Sequence, residues 1–282
     1  MLFIPGNNQR ALNKVKIVNS DAIIFDLEDS VSFDEKENAR NCILKMLNLE
    51  KPPKKKLYVR INALSTGLMK DDIQGIIHKN LDGFIIPKVS FSQEIKDIEK
   101  MVRQISAEKG INADKLSFHI IFETALGVIN AYEIATSSKM IEALAFGAED
   151  FTLDIGATRT TNGWELFYSR SRVLIAAKAA RVMAIDTVFS DLLDEKGLCK
   201  DAETAKMLGF DGKFVIHPKQ IKIVNKVFTP SKKEIEFAKE VVIAFQQAQR
   251  EKRGVINVSG KMIDAPVFEK AKKIVQNLED LK

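Results

Sequence analysis

The sequence predicts an α/β protein, a (β/α)8 TIM barrel followed by a C-terminal helical arm. Eight short apolar runs, each ending in polar or turn-forming residues, alternate with stretches of helical period. Eight strand-helix units are the number that closes a parallel sheet on itself, and the polar strand ends then gather at one rim, where the loops after the strands build the active site.

The strands are read in order at "LFIPGNN", "DAIIFDLED", "KLYVRIN", "DGFIIPK", "FHIIFET", "EALAFGAED", "IDTVFSD" and "GKFVIHP". After the first, Ala11, Leu12, Val15 and Val18 share one helical face, and Ser32 and Glu35 stand at capping-box spacing before the second helix. The barrel accounts for residues 1–228. Residues 229–282 form the extension: Ser231 and Glu234 open a helix carrying Ile235, Ala238, Val242 and Phe245 along one face, and a glycine-bearing stretch leads to a last amphipathic helix ending "QNLEDLK".

The net charge of +5 in a chain with 29% charged residues is mild. "KPPKKK" reads as a solvated turn and not a nucleic-acid surface, because no aromatic residues interleave with its lysines. Cys42 and Cys199 lie far apart without CxxC spacing, which fits reducing cytoplasm and implies neither a zinc site nor a disulfide framework. No apolar run is long enough to span a bilayer, so no membrane role is expected.

The predicted rim is crowded with charge: Asp26, Glu28 and Asp29 of "DLED", Arg60 and Asn62 of "RIN", Lys88, Glu123, Asp150, Asp191 and His217. Glu123 and Asp150 end consecutive strands, which lie about 5 Å apart in a sheet. Two carboxylates at that spacing can share a cation, and oxygen-only ligands favour Mg2+ or Mn2+ over zinc. The alternative is that each acid caps a loop or pairs with a lysine. Arg60 is placed to grip a substrate carboxylate through two parallel hydrogen bonds. Glu28, Asp29 and Lys88 are expected around it, either as a rim network balancing Arg60 and Lys88 or as part of the chemistry. In "PGNNQRALNKV" a glycine precedes a helix start, so Arg10 or Lys14 could meet a phosphate, although the spacing of a phosphate loop is absent. Gly147 removes bulk just before Asp150. His119, inside a strand, reads as a packed or surface residue.

With these pieces placed, the chain resembles the citrate lyase beta-subunit family, within the broader superfamily of aldolases and lyases acting on acyl thioesters. The resemblance rests on "DAIIFDLEDSV", "VRIN", "IIPK", "FGAEDFTLDIGATRT", "GWELFYSRS", "GFDGKFVIHPKQI" and "GKMIDAPV". It implies a Mg2+-dependent barrel that cleaves a citryl thioester to oxaloacetate and an acetyl thioester, with partners in a citrate lyase alpha subunit and an acyl carrier subunit. By motif, Glu123 and Asp150 correspond to the metal ligands, and Arg60 and Glu123 to the pair that contacts substrate. Asp264 corresponds to an acid near the acetyl carbon, carried on an arm that closes a neighbouring subunit's site in a homotrimer; its plain reading is a helix cap before Pro266. A lyase or thioesterase acting on free malyl or citramalyl coenzyme A, and a non-catalytic scaffold subunit that holds a carrier protein, are the other functions such a chain could serve.

Overall fold

A computed structural model describes residues 1–160 and 162–280; the last two residues of "QNLEDLK" lie outside the described part. Eight parallel strands form one sheet in sequential order. They are β1 (Leu2–Pro5), β2 (Ala22–Asp26), β3 (Lys56–Arg60), β4 (Gly83–Ile86), β5 (Ser117–Phe122), β6 (Ile141–Phe146), β7 (Met183–Asp186) and β8 (Gly212–Lys213). Beyond β8 the chain meets β1 again: Val215 bridges Leu2 in parallel, and its carbonyl accepts the Phe3 N–H at 2.9 Å. The sheet is curled and TIM-barrel-like, and each of the eight expected strands is present.

Period 2 along the strands separates two apolar layers. Ile23, Phe25, Leu57, Val59, Phe84, Ile86, Phe118, Ile120, Phe122, Leu144 and Phe146 face the helices and join the large core there. Their alternates, Ala22, Ile24, Tyr58, Ile85, Ile121, Ala143, Ala145, Ile185 and Phe214, pack against one another on the inner face. His119 joins them, 1% exposed, with its ring 4.4 Å from that of Tyr58. Contacts divide the chain into two compact units, Met1–Phe228 and a second beginning at Thr229. The second unit has its own small core, in which helix Lys232–Arg250 and the hairpin of β9 (Ile256–Val258) and β10 (Lys261–Ile263) meet helix Ala265–Asp280 through Val241, Phe245, Ile263 and Phe268. Among the described residues no helix is long and apolar enough to cross a membrane.

Local chemistry follows the expected spacing in one place and departs from it in two. Ser231 and Glu234 make the reciprocal capping box. Ser32 makes no side-chain cap, because the chain enters the second helical segment through a 3-10 turn, Phe33–Glu35, and the Glu35 carboxylate instead accepts from Asn38. The first helix is a single turn, Gln9–Leu12; Leu12 and Val15 are buried as their spacing requires, but turns replace helix after Asn13.

Gly83 pairs with Ser117 across β4 and β5, and a Cβ there would lie 2.0 Å from the Ser117 carbonyl oxygen. Gly83→Ala must therefore spread two central strands. We expect it to lower stability by about 1–3 kcal/mol, read as a lower urea midpoint; an unchanged midpoint would mean that the ladder has slack at this pair.

Candidate functional site

The inner-face register generates the site. Two residues beyond the inner apolar positions Ile24, Tyr58, Ile121, Ala145, Ile185 and Phe214 stand Asp26, Arg60, Glu123, Gly147, Thr187 and Ile216. All six line one cavity of about 340 Å³ at the C-terminal ends of the strands, with Phe3, Pro5, Asp29, Val188, Glu149 and Asp150. A strand that stops on an acid is thus continuing its inward-facing row past the apolar layer.

Asp26 and Arg60 are the last residues of β2 and β3 and sit directly opposite in register. The guanidinium donates through Nε and Nη2 to the two oxygens of Asp26, both at 2.7 Å. Its Nη1 donates to Asp29 Oδ2 at 3.2 Å and lies 2.9 Å from Glu28 Oε2, close as an ion pair but outside hydrogen-bond alignment. The fork expected to hold a substrate carboxylate is therefore occupied by Asp26. The physical reason is burial: Arg60 is 9% exposed, and a buried guanidinium without its own counter-charge is strongly disfavoured. Burial tends to raise the Asp26 carboxyl, but the Arg60 charge and hydrogen bonds outweigh it and hold Asp26 below the usual carboxylate range. At Glu28 burial prevails over Arg60, and the carboxyl is raised.

Lys88 follows β4 with φ +55°, a left-handed conformation uncommon outside glycine. That turn aims its N–H at Glu123 Oε2, 3.1 Å away, while its ammonium reaches Glu28 at 2.9 Å, Asp29 at 3.6 Å and Asp150 at 3.7 Å. Glu28, Asp29 and Lys88 thus form a network of ion pairs with Arg60 at the rim.

Glu123 is 4% exposed. Burial, reinforced by the charges of Glu28 and Asp150 against those of Arg60 and Lys88, pushes its carboxyl up to about 8. A Cβ on Gly147 would fall 2.4 Å from Glu123 Cγ, so the missing bulk makes room for Glu123, although sequence order associates Gly147 with Asp150. Asp150 does not end a strand. It is the third residue of the helix Ala148–Asp154 that follows β6, and it brings its charge back toward Glu123 from there.

Other expected residues do not join this network. Lys14 is exposed in the turns after the first helix and does not line the cavity. Asp264 belongs to the second unit, where its Oδ1 accepts from the Val267 N–H at 3.2 Å, the cap geometry of helix Ala265–Asp280. Asn62 is buried against Asp72, and Asp191 and His217 accept from nearby backbone N–H groups. Other residues had no signal in the sequence. Thr187 sits at the cavity beside Ala148. Behind it Lys213, Asp186, Arg170 and Asp201 make a buried ion network between sheet and helices. Lys213 and Arg170 stand in stretches that carry the family resemblance, but no local spacing relates them to Asp186 or Asp201, so nothing short of the fold could have joined the four.

Among the described residues no three His, Cys, Asp or Glu side chains by themselves compose a metal cluster. Two carboxylates beside an open cavity are nevertheless compatible with Mg2+, which keeps several waters and takes one or two protein carboxylates plus oxygens of the substrate.

Comparison with known proteins places this geometry. The citrate lyase subunit beta of Leuconostoc mesenteroides subsp. cremoris is 38% identical over 276 residues, covering 98% of this chain and 91% of the relative. Human mitochondrial citramalyl-CoA lyase is 31% identical, covering 98% of this chain and 84% of that one. Among solved structures, the CitE protein of Mycobacterium tuberculosis in complex with magnesium, acetoacetate and coenzyme A superposes with a TM-score of 0.76 at 27% identity, covering 99% of this chain and 97% of that one. Residues 1–218 match the HpcH/HpaI aldolase/citrate lyase family along the whole sheet, and the chain belongs to that family.

Proposed function

We propose that this chain is a Mg2+-dependent carbon-carbon lyase that cleaves a citryl thioester to oxaloacetate and an acetyl thioester, as the beta subunit of a citrate lyase working with an alpha subunit and an acyl carrier subunit. The observation that carries this reading is Glu123, a buried carboxyl held in the cavity opposite Gly147 with Asp150 beside it. The citrate lyase relative and the magnesium-containing CitE structure support it. We read the curled sheet as a closed (β/α)8 barrel, supported by the Leu2–Val215 bridge, and the unit from Thr229 onward as its C-terminal arm.

Glu123 and Asp150 would hold Mg2+, which when bound supplies a Lewis acid for the oxygen on the substrate's hydroxyl carbon. That hydroxyl loses its proton and becomes the ketone of oxaloacetate; the bonding electrons of the broken carbon-carbon bond pass to the acetyl thioester as an enolate, which then takes a proton. Arg60, fixed by Asp26, turns its Nη1 toward the rim, where a substrate carboxylate would take the place of Asp29, its more exposed partner there. Phe3, Phe146, Phe214 and Ile216 give the cavity an apolar wall beside the two carboxylates.

A second reading, a citramalyl-CoA lyase, is favoured by the human relative. Incubating the protein with Mg2+ and citryl, malyl or citramalyl coenzyme A, with and without a carrier protein, separates them. Oxaloacetate release from the citryl thioester supports the first reading, pyruvate from citramalyl alone supports the second, and no keto acid from any substrate rejects both. The homotrimer is what the resemblance implies; an apolar groove lined by Tyr132, Tyr168 and Ile175, the last two 70% and 66% exposed, is a surface that association of some kind could cover.

Glu123→Gln and Asp150→Asn should each weaken Mg2+ binding by about tenfold or more, since affinity follows ligand charge. In the parent protein, protons compete for Glu123 below pH about 8. Mg2+ affinity should therefore rise with pH by up to about tenfold per unit until that point, with a proton released on binding. Calorimetry in buffers of different ionisation enthalpy checks this, and Glu123→Gln should bind with no such proton release.

Arg60→Lys keeps the charge and loses the planar fork. The expected outcome is a KM for the citryl thioester at least about tenfold higher, from one charged hydrogen bond, with Mg2+ affinity retained. Wild-type efficiency would reassign Arg60 to the rim network alone.

For Asp264 we propose the acid that protonates the acetyl carbon, supported by the resemblance of "GKMIDAPV". Asparagine caps a helix as well as aspartate does. Asp264→Asn should therefore lose turnover with melting unchanged, and a fully active variant would leave the residue as a cap only.

A further inference from the structure

The second carboxylate of the site arrives on a helix whose start is held by groups outside it. Gly147, at the N-terminus of helix Ala148–Asp154, has no side chain to cap it, and the first N–H groups of a helix have no partner within it. Here the Gly147 N–H donates to the Phe122 carbonyl of β5 at 2.9 Å, and the buried Ala148 N–H donates to Thr187 Oγ1, beyond the end of β7, at 3.1 Å. The helix therefore starts pinned between the strands on either side of β6. Asp150 follows Ala148 by two residues within the same turn, so the position of Ala148 determines where the Asp150 carboxylate can reach.

Thr187 is itself immobilised. It is 1% exposed, and its carbonyl accepts from Lys213 Nζ at 2.7 Å. The same ammonium lies 2.6 Å from Asp186 and 2.5 Å from Asp201, and Arg170 grips both oxygens of Asp186 at 3.0 and 2.9 Å. Four charged groups from β7, β8 and two helices thus converge on the backbone that carries Thr187. We propose that Thr187 is a positioning residue: its hydroxyl, anchored through its own carbonyl by the buried Lys213, sets the first turn of helix Ala148–Asp154 and so aims Asp150 at the cavity beside Glu123. The inference rests on the reading of Asp150 as a cation ligand.

The test is the affinity of the full-length protein for Mg2+ without substrate, with Mn2+ as a spectroscopic substitute, measured together with melting temperature and the split between kcat and KM. Thr187→Val keeps the shape and removes the acceptor; the expected result is a dissociation constant for the ion raised by about tenfold, the lower end of what a lost supporting hydrogen bond does to metal affinity. Thr187→Ser restores the acceptor and should return affinity close to that of the parent, an outcome that a purely packing role for the threonine would not produce. Thr187→Ala replaces the valine variant if the latter does not fold. Asp150→Asn is the control. If it weakens binding while Thr187→Val binds as tightly as the parent, the positioning role is overturned and the metal reading stands. If Asp150→Asn itself binds ions normally, the metal reading fails and the positioning role with it.

Discussion

The pairing of Arg60 with Asp26 is the interaction on which the site depends. A guanidinium at the end of an apolar inner face has lost most of its water, and only a carboxylate in matching geometry keeps it there. The neighbouring strand supplies that carboxylate in register, and the consequences spread outward. Asp26 also accepts from the Glu28 and Ser30 N–H groups and from the Ser30 hydroxyl, so it folds the loop after β2 back over the rim. Lys36 closes that loop from below by donating to the carbonyls of Leu27 and Glu28. Glu28, thus placed, meets Lys88, and the turn at Lys88 directs a backbone N–H at Glu123.

This arrangement leaves Glu123 unlike the other acids. Asp26 has a whole guanidinium edge, whereas Glu123 has one backbone N–H and two acidic neighbours, so its proton is held well into the neutral range. A buried carboxyl raised in this way is poised to exchange its proton for a cation, because a dication relieves both the burial of its charge and its repulsion from Glu28 and Asp150. The surrounding network is acid-rich for the same reason: Asp26, Glu28, Asp29, Glu123 and Asp150 outnumber Arg60 and Lys88.

Behind the sheet, the Arg170–Asp186–Lys213–Asp201 network holds the other side of the cavity. Buried ion networks are weak evidence for stability but constrain geometry, since each member tolerates few alternative positions. Here the constrained backbone carries Thr187, and through it the helix of Asp150. The apolar inner face below contributes little specificity of its own. Its row of Ala22, Ala143 and Ala145 beside Tyr58 and Phe214 fills the interior.

The sequence by itself determined the number and order of the strands, the start of the second unit's first helix at Ser231, and the identity of the rim charges, because period-2 burial, capping chemistry and strand-end polarity are local properties written every few residues. It also singled out Glu123, Asp150, Arg60 and Lys88 as neighbours at one rim, since consecutive parallel strands must lie side by side. Which groups pair within that rim was decided only by tertiary structure. Arg60 takes Asp26 and not an open position, Gly147 clears space for Glu123 across the strand gap, and Asp150 reaches the cavity from a helix turn whose Ala148 is held by Thr187. Those pairings depend on register and on the curl of the sheet, which bring together residues tens of positions apart. No local pattern encodes them, because each partner satisfies the same local rules whether or not the other is there.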